Sequence, residues 1–180
     1  MPTQKVDFIN NVGYKLSAKL ELPMMIKPVA YAIFAHVFTG HKNLIAAKHI
    51  SRALNTEGIA VLRFDFTWLG ESEGEFADTN FSSNVDDLMA AADFLEKHCD
   101  APTLIIGHSL GGAASIFAGN QIPSIQAIAT VDAPSDPEHV KHLLSDKVIG
   151  IESEGKAVIQ IDGRQFTIKK QFLDDLQDHR

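Results

Sequence analysis

The chain is poor in several things that would have assigned it quickly. Its 180 residues contain one cysteine, one tryptophan and two tyrosines. A single Cys99 cannot close an internal disulfide, so nothing points to a small disulfide-stapled scaffold or an oxidising compartment. No run of about 18 apolar residues exists, which excludes a helical membrane span. The N-terminus, Met-Pro-Thr-Gln-Lys, lacks the apolar core of a signal peptide. These absences make the cytoplasm the expected location. No His-Glu-x-x-His or Cys-x-x-Cys spacing occurs, so no metal or other cofactor is expected. Positive charge is also short. Sixteen Lys and Arg against 23 Asp and Glu leave a net charge of −7, which argues against a nucleic-acid binder held by phosphate contacts.

What is present reads as one globular domain. Hydrophobic residues make up 45% and charged residues 22%, an ordinary globular balance. A chain of this length can bury a real core. The acid is concentrated between Asp65 and Asp100, where ten carboxylates (Asp65, Glu71, Glu73, Glu75, Asp78, Asp86, Asp87, Asp93, Glu96, Asp100) face one base, Lys97. The plain reading is a solvated loop and the outer face of a helix. The alternative is a surface that repels acidic ligands or meets a basic partner.

Periodicity gives the elements. Residues 5–22 alternate as a β-hairpin. Residues 29–36 and 59–66 are apolar runs suited to strands buried on both faces. Between them, 42–57 carries apolar residues at helical spacing, with Gly58 where a C-cap belongs. Ser83 and Asp86 resemble a capping box that opens a helix running to about Cys99. Residues 103–106 and 126–132 are two further strands, separated by a small-residue helix over 110–121. Asp136 and Pro137 suit the start of a helix over 137–148. Asp162-Gly163 is a type I′ turn signal in a hairpin over 157–168, followed by a short helix over 170–177. A lone hairpin is marginal in water and must pack on something. Strands alternating with helices predict a mostly parallel α/β sheet covered on both faces.

One motif carries chemistry. Gly107-His108-Ser109-Leu110-Gly111 matches G-x-S-x-G. The pattern follows a strand and opens a helix, the context in which the serine stands on a strained turn above a sheet edge. The competing reading is a glycine-rich turn with an incidental serine. In the chemical reading Ser109 is a nucleophile, supported by Gly107, His108 and Gly111. The Leu110 amide at the helix N-terminus is one oxyanion donor. His36-Val-Phe-Thr-Gly40 ends the 29–36 strand and could supply the second donor, with Phe38 as the candidate and Val37 beside it; it could equally be a simple strand-ending loop. A serine needs a base. After Ser109 the histidines are His139, His142 and His179. His142 is a candidate base if its helix folds over the serine, and Asp132, at a strand end, a candidate acid. His36 and His108 read as hydrogen-bonding scaffold.

The segments AIFAHVFTGHKNL, GIAVLRFDFTWLGESEGEFADTNFSSNVDDL and LIIGHSLGGAA resemble the α/β-hydrolase superfamily. They look most like the hydrolase half of bacterial proteins that fuse such a domain to an OsmC-like domain. The resemblance implies the α/β-hydrolase fold with an N-terminal antiparallel hairpin, a core over 1–134 and a lid-like insertion over 135–180. It implies hydrolysis of an ester, thioester or related acyl bond of a small-molecule substrate through an acyl-enzyme on Ser109. It also implies that the family's acid and base lie on strands not recognisable here. The chain is therefore expected to be C-terminally truncated and weak or inactive by itself, with a possible OsmC-like partner domain and a free sheet edge that could pair two copies. Two residues depart from the family pattern: Val37 and Trp68 stand where glycine is usual. The alternative function is a non-catalytic ligand- or partner-binding domain on the same scaffold.

Overall fold

In the computed structural model, residues 2–24, 27–144, 147–161 and 163–179 are described. Six strands form one sheet in the order β1-β2-β4-β3-β5-β6. Strands β1 (Thr3–Ile9) and β2 (Lys15–Glu21) make the expected antiparallel hairpin, and β2 pairs antiparallel with β4 (Ile59–Phe64). Strands β3 (Ala30–Ala35), β5 (Leu104–His108) and β6 (Ala127–Val131) continue the sheet in parallel.

The apolar runs divide between the two faces, as the two-residue period of a strand requires. Tyr31, Ile33, Ala60, Leu62, Phe64 and Ile105 enter the larger core under α2 (Phe81–His98) and α3 (Leu110–Gly119). Ala32, Phe34, Val61 and Ile106 pack with Ala47 of α1 (Ile45–Thr56) on the other face. Strand β6 closes the parallel end of the sheet, and all five of its residues are exposed.

Helix starts differ in detail from the pattern reading. Helix α1 begins three residues late, because Lys42 is withdrawn into a buried ion pair. Helix α2 begins at Phe81, and its cap is Asn80. The Asn80 side chain accepts from the Ser83 amide at 2.8 Å, and Ser83 Oγ accepts from the Asn80 amide at 2.9 Å. Ser83 thus fills the third helical position of a capping box and is not its start. The helix expected over 137–148 opens instead as a 3-10 turn (Pro137–Val140), capped by the Asp136 carboxylate, and is helical over α4 (Lys141–Leu144); its residues 145 and 146 lie outside the described residues. Helix α5 spans Val148–Glu154.

The tail forms a two-stranded sheet of β7 (Lys156–Ile161) and β8 (Arg164–Lys169), then α6 (Lys170–Gln177). Gly163 in its turn has φ +76; Asp162 lies outside the described residues. The hairpin finds its support on the main core. Buried Phe166 packs 4.8 Å from the Phe76 ring. Helix α6 docks on the N-terminus of α2, where the Asp175 carboxylate accepts from the Ser82 amide at 2.8 Å, a favourable site for negative charge.

Candidate active site

Four non-glycine residues among those described have left-handed φ: Thr39 (61°), Trp68 (66°), Ser109 (54°) and Asp132 (52°). Each follows the C-terminal end of a different strand, β3, β4, β5 and β6 in turn. Such conformations cost about 1–3 kcal/mol each and gather at functional sites. The carboxyl edge is also where open α/β sheets bind ligands. The strain therefore marks one edge of the sheet.

Ser109 stands at the N-cap of α3, but its side chain makes no capping bond. Its amide donates to the Val131 carbonyl at 2.9 Å, which ties the turn to β6, and its carbonyl accepts from Gly112 at 2.8 Å. The turn admits little side chain around it. A Cβ on Gly107 would lie 2.4 Å from Gly112 Cα, and one on Gly111 would lie 2.3 Å from the His36 carbonyl oxygen. These contacts press strand, helix and the end of β3 together. The Leu110 and Gly111 amides, in the first turn of α3, have no intrahelical acceptor.

The loop after β3 is a tight turn. The Gly40 amide donates to the Val37 carbonyl at 2.9 Å, with Phe38 and left-handed Thr39 between them. A void of about 10 Å³, room for one water, is lined by Val37, Phe38, Leu110 and Gly111 together. The two candidate oxyanion donors thus belong to one locality. His36 beneath them is buried. Its Nδ1–H donates to the Val37 carbonyl at 2.8 Å, so Nε2 is the acceptor that meets the Phe66 amide at 3.3 Å. Burial pushes its pKa down to about 4, and it stays neutral at pH 7. His108 is the last residue of β5, paired with Val131.

A cleft of about 420 Å³ opens at Ser109 and is lined by Leu110, Asp132, His139, His142 and Leu143. The structure therefore brings Ser109, Asp132 and His142 to one cleft. His139, which the sequence offered no reason to prefer, lies beside His142 with rings 4.8 Å apart. Among the described residues, Ser109 Oγ has no hydrogen bond to either imidazole or to Asp132. His179 is elsewhere, against Phe81 and Phe117.

The acidic block is not uniformly solvated. Asp65 and Asp87 are buried, while the other eight carboxylates are exposed. Asp65 accepts from the Lys42 amide and ammonium, both at 2.5 Å, and from the Glu71 amide at 2.9 Å. The Lys42 ammonium also bonds Glu71 at 2.7 Å and holds that carboxyl below its usual range. Asp87 accepts from Asn10, the Thr67 amide and the Thr67 hydroxyl, and desolvation raises its pKa to about 6. Both clusters brace the loop after β4. Trp68 of that loop is partly exposed and lies against Phe76 and Phe166.

Comparison with known proteins identifies the arrangement. Residues 26–148, more than half of the chain, match the family described as serine aminopeptidase, S33. The chain belongs to this family of α/β-hydrolases. No curated protein matches the sequence. Among solved structures, the esterase domain of a Rhodothermus marinus protein is 49% identical, with a TM-score of 0.73, covering 99% of this chain and 69% of that one. Est1E from Butyrivibrio proteoclasticus, described with bound ferulic acid, is 25% identical, with a TM-score of 0.79, over 96% of this chain and 71% of its own. A Xanthomonas campestris serine hydrolase described as having no lid is 26% identical, with a TM-score of 0.66, over 75% of this chain and 64% of its own. This α/β-hydrolase is accordingly an enzyme of esterase-like type. Among its described residues no helix is long and apolar enough to cross a membrane.

Proposed function

We propose that this α/β-hydrolase cleaves carboxyl esters or thioesters through an acyl-enzyme on Ser109. The observation that carries the reading is the serine's left-handed φ at the head of α3 with a hydroxyl uncommitted to capping. Ser109 Oγ attacks the substrate carbonyl carbon as its proton passes to the candidate base His142, which then returns it to the departing alcohol or thiol. The Leu110 and Phe38 amides hold the oxyanion, each worth roughly 3 kcal/mol in the transition state. Collapse expels the alcohol or thiol, and water then releases the acid.

His142 is the candidate base, with His139 next to it and Asp132 as the candidate acid; all three line the cleft. Neither imidazole hydrogen-bonds Ser109 here, and slow turnover by these 180 residues is part of the proposal. Residues 135–180 act as the lid: Ser135, His139, Val140, His142 and Leu143 of this stretch line the cleft, and the match to the relative described as lidless covers three-quarters of this chain. Small acyl esters and hydroxycinnamate esters are the first substrates to try, the latter because a relative is described with ferulic acid bound. An OsmC-like partner domain and the cytoplasm as location belong to the same proposal.

The missing contact also favours a second reading, a binding domain with an unactivated serine. A fluorophosphonate probe discriminates. The hydrolase reading expects labelling of wild type and none of Ser109→Ala. The binding reading expects neither to label.

A further inference from the structure

The lid touches the turn after β3 at two successive residues. The Phe172 ring of α6 lies 5.6 Å from the Phe38 ring. From the first residue of β8, the Arg164 guanidinium donates to the Thr39 carbonyl. Thr39 is the left-handed residue of that turn. The Gly40 amide closes the turn on the Val37 carbonyl, and Arg164 holds the carbonyl of Thr39 within the same turn. The guanidinium is itself placed, its carbon 5.2 Å from the Phe166 ring centroid. Phe166 is buried and packs on Phe76, which in turn lies 5.8 Å from Phe38. Arg164, which follows the hairpin turn, is thereby tied to the proposed oxyanion loop.

We propose that Arg164 is a positioning residue, a guanidinium carried on the lid that holds residues 37–40 in the conformation aiming the Phe38 amide at the oxyanion. This rests on the hydrolase reading of Ser109. The left-handed conformation of a threonine needs external support, and Arg164 supplies a charge-assisted hydrogen bond to that residue's own carbonyl. Small displacements of a donor cost large factors in rate. Arg164 thereby links the seating of the lid to the competence of the oxyanion site.

The test measures the rate of phosphonylation of wild type, Arg164→Ala and Arg164→Lys as a function of probe concentration. The expected result is a limiting rate about tenfold lower in Arg164→Ala, with half-saturation little changed. Arg164→Lys, which keeps a cationic donor, recovers part of the rate, and millimolar guanidinium restores Arg164→Ala. Labelling of Arg164→Ala at the wild-type rate would overturn the proposal and leave the hydrolase reading standing. A slower variant that guanidinium does not rescue, with a matching fall in Tm, would make Arg164 a structural fastener and overturn it too. Wild type that labels no faster than Ser109→Ala would remove the hydrolase reading, and the proposal with it.

Discussion

Gly111 and His36 meet so closely that a Cβ on the glycine would stand 2.3 Å from the histidine's carbonyl oxygen. This contact joins the first turn of α3 to the end of β3, and so the turn at Ser109 to the loop that carries the proposed second oxyanion donor. The obstacle is backbone, which cannot swing away as a side chain can. Gly111→Ala is expected to destabilise by about 2–3 kcal/mol, the upper part of the overpacking range. It should also reduce probe labelling, because the two proposed oxyanion amides are pushed apart. Urea unfolding and labelling of the folded fraction check both outcomes.

The Lys42–Asp65 pair is a second support. Both side chains are 1% exposed and 2.5 Å apart. Removing one partner leaves the other charge buried and alone, at about 3–5 kcal/mol. Lys42→Met should lose that much stability. Lys42→Met with Asp65→Asn should lose less than the sum of the single changes, since neither charge is then left unpaired. Additive losses would show that the pair is not coupled.

Two buried groups give opposing pH dependences. His36 titrates at about 4 folded and near 6.5 unfolded. Between those values the unfolded chain holds a proton the folded chain lacks. Stability from this group rises with pH through the window, at up to ~1.4 kcal/mol per pH unit, and is complete above it. Asp87 titrates at about 6 folded and 3.8 unfolded. Its contribution is complete below 3.8 and is lost as pH rises through 6. The two offset each other between pH 4 and 6. Asp87→Asn should unmask a rise in the urea midpoint with pH, and His36→Asn should unmask a fall. A profile for Asp87→Asn parallel to wild type would contradict this assignment.

Trp68 occupies a left-handed position at φ 66°, where a side chain costs about 1–2 kcal/mol. It is kept there by ring contacts at 5.5 Å to Phe76 and 6.1 Å to Phe166. Trp68→Ala loses those contacts and keeps the strain, whereas Trp68→Gly loses both. Glycine at 68 should therefore be more stable than alanine by about 1 kcal/mol, read as the difference in Tm between the two variants.

The parallel strands and the elbow were legible because local pattern dictates them. Residues 29–36 and 59–66 are apolar on both faces but for His36, Arg63 and Asp65, all three buried, and Gly107, Ser109 and Gly111 fit a tight strand-to-helix turn. Trp68 was legible as an oddity through the resemblance alone, which puts glycine at that position, and its φ of 66° is one that glycine adopts at less cost. Asp65 and Asp87 could not be told from their eight exposed neighbours, because their partners Lys42 and Asn10 are 23 and 77 residues away. The first turn of the helix expected over 137–148 is 3-10, because Asp136 and Pro137 start a 3-10 turn as readily as a helix. The contact of Arg164 with Thr39 spans 125 residues, and no local signal encodes it.

The central claim is that Ser109 is an activated nucleophile. Intact-mass measurement after fluorophosphonate treatment, on wild type and Ser109→Ala side by side, tests it most directly. A single adduct on wild type, mapped to Ser109 and absent from Ser109→Ala, is the result predicted. No adduct on wild type, or equal labelling of both proteins, would contradict it.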